Sequence, residues 1–137
     1  MKGIADTGFI VAFGNRKDRY HEWAVEIANG LTEPLLTCDA VLAEAAFHLE
    51  SSVYVFSLVE NNMLRVDFDS SLHITRLMEL AKRYDDRHPD VADLCIVRMS
   101  ELHPRHVVIT VDEKDFRVYR RNKRDMIPLL SPASTLQ

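Results

Sequence analysis

The sequence has no excess of positive charge and no long hydrophobic run. Its 17 lysines and arginines stand against 21 aspartates and glutamates, which gives a net charge of −4. This balance argues against a protein that binds nucleic acid over its whole surface, while leaving room for a local basic patch. No apolar stretch approaches the ~20 residues that a transmembrane helix requires. The sequence therefore predicts no membrane partner.

Cysteine and histidine do not form any pattern that indicates a metal site. The chain has two cysteines, Cys38 and Cys95, which lie far apart among apolar neighbours and lack the spacing of metal ligands. Their positions favour buried free thiols in a reducing cytoplasm over a disulfide. The six histidines also lack a ligand-like spacing.

The composition is that of an ordinary globular protein. With 137 residues, 47% of them hydrophobic and 28% charged, the chain is long enough for a core of its own. We find no internal repeat or linker, and we expect one domain over residues 1–137 that ends in a polar tail at 131–137. Asp6 lies within what would be the apolar core of a signal peptide, which favours a cytoplasmic protein.

Short apolar strands alternate with helices along the chain. Strands are predicted at 4–5, 34–37, 63–67 and 106–111, and an edge strand that tolerates Pro128 at 126–130. Helices are predicted at 9–13, 21–29, 39–49, 53–59, 70–81 and 90–102. We expect Asp39 and either Ser70 or Ser71 to act as caps. The buried stripe of the helix at 70–81 is expected to consist of Leu72, Ile74, Leu77, Met78 and Ala81. The alternation predicts an α/β fold with a mostly parallel sheet covered by helices on both sides.

Two aspartates follow buried strands. Asp6 lies between the strand at 4–5 and the apolar run 9–13, and Asp112 follows the strand at 106–111. A lone carboxylate in such a position is costly to desolvate unless a hydrogen bond or a positive charge compensates it. For Asp6 two explanations stay open: it caps the next helix, or it belongs to a site at the carboxyl edge of the sheet.

Two further acids lie within apolar helical segments. Glu44 falls inside the run 41–47 and would point into a site or into solvent. Asp93 is expected in the first turn of a helix capped by Asp90, where a carboxylate also favours the helix dipole. Helical geometry nevertheless keeps Asp93 on the buried side, near Ile96 and Val97.

The topology would bring these acids together. In a parallel sheet the carboxyl ends of the strands and the amino ends of the following helices share one edge, so Asp6, Asp93 and Asp112 could converge there, with Glu44 arriving from a neighbouring helix. Clustered carboxylates repel one another unless cations hold them. Oxygen ligands suit Mg²⁺ or Mn²⁺, and such ions can activate a water for hydrolysis of a phosphodiester.

The ordered set of acidic motifs resembles the PIN-domain family of metal-dependent ribonucleases over essentially the whole chain. The stretches that carry the resemblance are Ile4-Ala5-Asp6-Thr7-Gly8, Leu42-Ala43-Glu44, Asp90-Val91-Ala92-Asp93-Leu94 and Thr110-Val111-Asp112-Glu113-Lys114-Asp115-Phe116. The resemblance implies a three-layer α/β/α sandwich with a mostly parallel central sheet. It also implies hydrolysis of RNA by a metal-activated water, without a nucleophilic side chain.

The resemblance assigns a role to each acid. Asp6, Glu44 and Asp93 correspond to the core Mg²⁺ or Mn²⁺ ligands, and Asp112 to the fourth acid. Asp115 would ligate through water, and Asp90 would serve mainly as a cap. Either Thr7 or Thr110 would orient a ligating carboxylate. The chain departs from the family at Gly8, where many members have serine or another small polar residue.

The chain length is similar to that of the single-domain VapC-type toxins of toxin–antitoxin pairs. That resemblance implies an antitoxin partner whose tail masks the acidic pocket, and a homodimer. For RNA phosphates we expect a basic segment beside Asp112 and Asp115, with a second group at Arg16, Lys17 and Arg19. The RNA-binding candidates of the basic segment are Arg117, Arg120, Arg121 and Lys123.

The same residues suggest three other interpretations. A haloacid dehalogenase-type phosphotransferase needs a second acid two residues after the first, and that position is Gly8. A receiver domain needs paired acids after its first strand, and Asp6 is unpaired there. The serious alternative is a non-catalytic RNA- or protein-binding module on the same fold.

Overall fold

A parallel five-stranded sheet forms the centre of the protein. The computed structural model describes residues 1–135, and the side chains of residues 1–133. The strand order is β3-β2-β1-β4-β7, and every pairing in this sheet is parallel. The strands are β1 (Gly3–Ala5), β2 (Leu35–Thr37), β3 (Leu64–Val66), β4 (Val107–Ile109) and β7 (Leu129–Leu130).

The sheet is central because its middle strands are apolar on both faces. In β1, Ile4 pairs with Leu36 on one side and with Val108 on the other, and all three side chains are buried. The one polar side chain of β2, Thr37, is also buried and donates its hydroxyl hydrogen bond to the carbonyl of Ala5. Strands that are buried on both faces are typical of parallel sheets between helical layers.

Helices cover both faces and complete a three-layer α/β/α sandwich, as predicted. An antiparallel hairpin, β5 (Arg120–Arg121) and β6 (Asp125–Met126), follows the seventh helix. Within residues 1–135, none of the helices combines the length and the apolar composition needed to span a membrane. The helices are α1 (Thr7–Gly14), α2 (His21–Asn29), α3 (Asp39–Leu49), α4 (Ser52–Glu60), α5 (Ile74–Arg83), α6 (Val91–Leu102), α7 (Glu113–Val118) and α8 (Pro132–Thr135).

The segment predicted as a polar tail, 131–137, contains α8. Ser131, ahead of this helix, is buried. Residues 136 and 137 lie outside the described residues. The edge strand predicted at 126–130 is confirmed for Leu129–Leu130, which form β7. Met126 belongs instead to the β5–β6 hairpin, so that part of the prediction was wrong.

Two helices are capped by other residues than the predicted ones. Asp39 is the first residue of α3 and Cys38 is its cap, without a side-chain hydrogen bond. Asp69 caps a separate 3₁₀ turn, Ser70–Leu72, and α5 begins only at Ile74. The expectation that Asp39 and Ser70 or Ser71 act as caps was therefore wrong.

The late start of α5 also changes which apolar side chains are buried. Leu77 and Leu80 face the core, whereas Leu72, Ile74 and Met78 are 76%, 55% and 53% exposed. Leu72 belongs to the 3₁₀ turn, and Met78 lies one residue, or about 100°, around the helix from Leu77. The predicted stripe assumed one continuous helix and so assigned these three residues to the wrong face.

The two cysteines are buried free thiols, as predicted. Cys38 ends the loop after β2, and Cys95 lies on α6. The interaction with Cys95, followed by burial, raises the pKa of the Cys38 thiol, so this thiol stays protonated.

Gly8 fits this fold because Val111 occupies the space beside it. A Cβ atom built on Gly8 would lie only 2.3 Å from Cγ2 of Val111, and Val111 is β-branched and therefore stiff. Val111 follows β4, so the packing of α1 against the carboxyl end of β4 requires glycine at position 8.

We predict that Gly8→Ala destabilises the protein by about 1–3 kcal/mol, the usual cost of overpacking. Alanine is otherwise preferred to glycine in a helix, so the same substitution should be neutral or stabilising in a Val111→Ala background. Urea unfolding of the two single variants and the double variant measures this coupling. Equal effects of Gly8→Ala in both backgrounds would show that Val111 is not the cause.

Candidate active site

A cavity of about 560 Å³ opens at the carboxyl edge of the sheet. The residues that line it come from the ends of β1 and β4, from α1, α3, α6 and α7, and from the segments that precede α2 and α6. All the acids singled out in the sequence lie in its wall. They are Asp6, Glu44, Asp90, Asp93, Asp112 and Asp115.

Asp6 is the most buried of these acids and uses both of its carboxylate oxygens. As the N-cap of α1, it accepts a hydrogen bond from the backbone N–H of Thr7 at Oδ1, 2.8 Å away. Its Oδ2 accepts from the hydroxyl of Thr110, also at 2.8 Å. The side chain is only 6% exposed. Asp6 therefore caps the helix and also faces the cavity, so both explanations that the sequence left open apply.

Glu44 is held by the residue next to Asp6. The hydroxyl of Thr7 donates a hydrogen bond to Oε1 of Glu44 over 2.8 Å, from α1 to α3. The helix packing that makes this contact also lets Glu44 line the cavity instead of pointing into solvent. Both threonines singled out in the sequence therefore orient a carboxylate of the site.

Asp93 lies in the first turn of α6, where Asp90 is the cap. Asp90 accepts a hydrogen bond from the backbone N–H of Asp93 at 2.8 Å, which confirms the predicted cap. On the other side, the hydroxyl of Tyr119 donates to Oδ2 of Asp93 over a long 3.4 Å. Tyr119 is itself buried and packs edge-on against Tyr84 and Phe116. A rigid aromatic cluster therefore supports Asp93.

Asp112 and Asp115 flank the start of α7. Strand β4 ends at Ile109, so Asp112 follows the strand by three residues and is exposed at the rim. Its backbone N–H donates to the hydroxyl oxygen of Thr110, which in turn donates to Asp6. Asp115 accepts from Nη2 of Arg87 at 3.3 Å.

The acids of the cavity raise one another's pKa values. Burial, followed by the nearby charges of Asp90 and Asp112, raises the pKa of Asp6 to about 6. Burial and the charges of Asp90 and Asp6 raise the pKa of Asp93 to about 8. The pKa of Asp112 is raised too, by burial and then by Asp115. The cavity therefore concentrates negative charge that the protein itself compensates only in part.

Comparison with known families identifies this arrangement. The model of the PIN domain matches residues 4–122, which include every acid of the cavity. The chain belongs to the PIN domain family. PIN domains are in general nucleases, enzymes that hydrolyse phosphodiester bonds. Comparison with curated proteins gives no match.

PIN domains typically use divalent metal ions, and the donors of this cavity fit such an ion. They are carboxylates and threonine hydroxyls, the hard oxygen donors that Mg²⁺ and Mn²⁺ prefer. Among the described residues, no three acidic, histidine or cysteine side chains are already close enough to hold an ion. Mg²⁺ commonly keeps several waters and binds through one or two carboxylates, so an ion here would be held partly through its waters.

The basic residues predicted to bind RNA do not line the cavity of this PIN domain. Arg117 pairs with Glu113 at 3.3 Å. Arg120 donates to carbonyls at the end of α7, and Arg121 donates to the carbonyls of Ser100 and Pro104. Lys123 is exposed in the turn of the β5–β6 hairpin. Two of the four are therefore engaged with the protein's own backbone.

The lysines and arginines that do line the cavity, within the described residues, are Arg19 and Arg87. Arg19 belongs to the second basic group predicted from the sequence, whereas Arg87 was not predicted. The histidines were not predicted either, although His48 lies four residues after Glu44 and so shares its face of α3. That spacing was a usable signal for His48, whereas the sequence held none for Arg87.

We predict that the metal-free protein loses stability as pH rises from about 4 to 8. The raised pKa of Asp93 means that the folded state holds a proton which the unfolded chain releases near its ordinary pKa. Unfolding therefore becomes easier as the pH rises from the unfolded towards the folded pKa, and the loss is complete once the pH exceeds the folded pKa. Asp93→Asn should stabilise the metal-free protein at pH 8 by about 1–3 kcal/mol, after allowance for partial exposure.

Urea unfolding at pH 5 and pH 8 in the presence of EDTA tests this expectation. Asp86→Asn, which changes an exposed acid of the 3₁₀ turn Asp85–Arg87, is the matched control. If Asp93→Asn and Asp86→Asn leave the same pH dependence, the burial of charge at Asp93 is not what lowers stability.

Proposed function

We propose that this PIN domain is a metal-dependent endoribonuclease that hydrolyses RNA phosphodiester bonds. The observation that carries the proposal is the gathering of Asp6, Glu44, Asp93 and Asp112 in one cavity from four separate segments. Such a cluster is costly to fold without a compensating cation, and a purely structural role for the four acids would not explain why they share one opening.

The residues that would hold the ion, directly or through its waters, are Asp6, Glu44, Asp93 and Asp112, with Asp115 acting through water. A bound Mg²⁺ or Mn²⁺ supplies a water of lowered pKa as nucleophile and neutralises charge on the phosphate. The chain itself positions the ligands: Thr110 holds Asp6 and Thr7 holds Glu44. Such hydrogen bonds behind the ligands fix the orientation of each carboxylate.

We further propose that the protein acts in the cytoplasm as a toxin of the VapC type, paired with an antitoxin and able to form a homodimer. A surface on α3 and α4 supports a protein partner: Phe47, Val53 and Phe56 are 79%, 82% and 63% exposed. Exposed apolar side chains in a group are typical of protein interfaces. The helix α3 also carries Glu44, so a partner on this surface would lie beside the cavity.

We predict that Asp93→Asn abolishes Mn²⁺-dependent cleavage of RNA, by at least about 100-fold. Even the partners behind metal ligands contribute about 10–100-fold to affinity or activity, so a direct ligand should contribute more. The substitution keeps the size of the side chain, and the protein should stay folded by circular dichroism. A gel assay with a labelled RNA, with and without EDTA, measures cleavage.

Asp86→Asn serves as the control for the loss of one exposed carboxylate and should cleave as the wild type does. Cleavage that persists in Asp93→Asn would contradict the proposed site. RNA binding without cleavage in the wild type would instead favour the non-catalytic module.

In cells, induced expression should arrest growth, and Asp6→Asn should relieve the arrest. A small upstream reading frame that encodes a DNA-binding domain would supply the antitoxin.

A further inference from the structure

Arg87 is a cation of the cavity that the acidic motifs of the sequence did not predict. It ends the 3₁₀ turn Asp85–Arg87, and its Nη2 lies 3.3 Å from Oδ1 of Asp115. The other arginine of the cavity wall, Arg19, lies over the ring of Tyr20 at 5.1 Å from its centroid. Of the two, Arg87 is the one whose guanidinium group contacts a carboxylate of the site.

The pairing of Arg87 with Asp115 is easily exchanged. The two side chains are 32% and 39% exposed, and a solvated ion pair of this kind contributes little to stability. A phosphate offers the guanidinium group a better acceptor, since it can take two parallel hydrogen bonds. A divalent cation bound by the acids would further weaken the attraction between Asp115 and Arg87.

The backbone that carries Arg87 is fixed relative to Asp93. The N–H of Arg87 donates to the carbonyl of Tyr84 at 2.9 Å. Tyr84 is buried and packs edge-on against Tyr119, whose hydroxyl contacts Asp93. The guanidinium group is therefore presented from the same aromatic cluster that supports an acid of the site.

We infer that Arg87 is the phosphate-binding residue of this site: its guanidinium group leaves Asp115 and binds the non-bridging oxygens of an RNA phosphate beside the carboxylates. This inference rests on the proposed function, and it differs from the expected roles of Arg117, Arg120, Arg121 and Lys123. These four do not line the cavity, whereas Arg87 does. Arg87 would thus set where the RNA backbone lies relative to the acids.

Binding is measured apart from cleavage in an Asp93→Asn background. The probe is a fluorescently labelled single-stranded oligoribonucleotide, titrated by anisotropy at several salt concentrations. Arg87→Gln should weaken binding about 10- to 100-fold at low salt, the range for a charge-assisted hydrogen bond. It should also reduce the slope of log K against log salt by about 0.7, the value for one lost phosphate contact on a single strand.

Arg105→Gln is the matched control, because Arg105 is exposed in the loop before β4, at the opposite end of that strand from Thr110. It removes the same charge and should leave the salt slope unchanged. Arg87→Lys keeps the charge but loses the paired hydrogen bonds, so it should keep the slope and bind with intermediate strength. In the cleaving protein, Arg87→Gln should raise KM more than it lowers kcat.

The inference is overturned if Arg87→Gln and Arg105→Gln show equal affinities and equal salt slopes, since Arg87 would then only neutralise Asp115. This result is separate from a failure of the proposed function. If the wild type does not cleave RNA but its RNA affinity still depends on Arg87, hydrolysis is refuted and the phosphate contact stands. If the wild type cleaves RNA and the substitution of Arg87 changes neither affinity nor salt slope, only the phosphate contact is refuted.

Discussion

The hydrogen bond from Thr110 to Asp6 joins the central strand β1 to its neighbour β4 at the edge where the site lies. Asp6 follows β1 and Thr110 follows β4, and these strands are neighbours in the sheet. Without this bond and the one from Thr7, the carboxylate of Asp6 would be buried with unpaired oxygens, at a cost of several kcal/mol. The same Thr110 hydroxyl accepts from the N–H of Asp112, which ties the entry of α7 to the same point.

This arrangement makes the site depend on the core rather than on flexible loops. Asp6 caps α1, Asp93 lies in the first turn of α6 and Glu44 lies in the middle of α3. The side chain of each accepts a hydrogen bond from a neighbouring residue. The concentration of acids nevertheless opposes folding, as the raised pKa values of Asp6 and Asp93 indicate. The acids thus lower the free energy of unfolding while hydrogen bonds hold them in a fixed geometry. Such a cost in stability is typical of residues that are retained for function.

The sequence was sufficient for the features that depend on local pattern. Apolar strands followed by acids predicted both the parallel sheet and the edge where Asp6, Glu44, Asp93 and Asp112 meet, because the topology of such sheets is restricted. It was insufficient where packing decides. Leu72, Ile74 and Met78 were assigned to the core because a 3₁₀ turn cannot be distinguished from a helix start by apolar spacing. The place of Arg87 beside Asp115 depends on contacts across 28 residues, which no local pattern contains.

The central claim is that the acids gather in one cavity to share a divalent cation. A crystal of the wild-type protein soaked in Mn²⁺, with anomalous diffraction recorded for manganese, tests it most directly. The account predicts an anomalous peak in the cavity, within coordination distance of carboxylate oxygens of Asp6 and Asp93, that is absent from crystals of Asp93→Asn. A fully soaked wild-type crystal with no peak there, or with the same peak in the variant, would contradict the account.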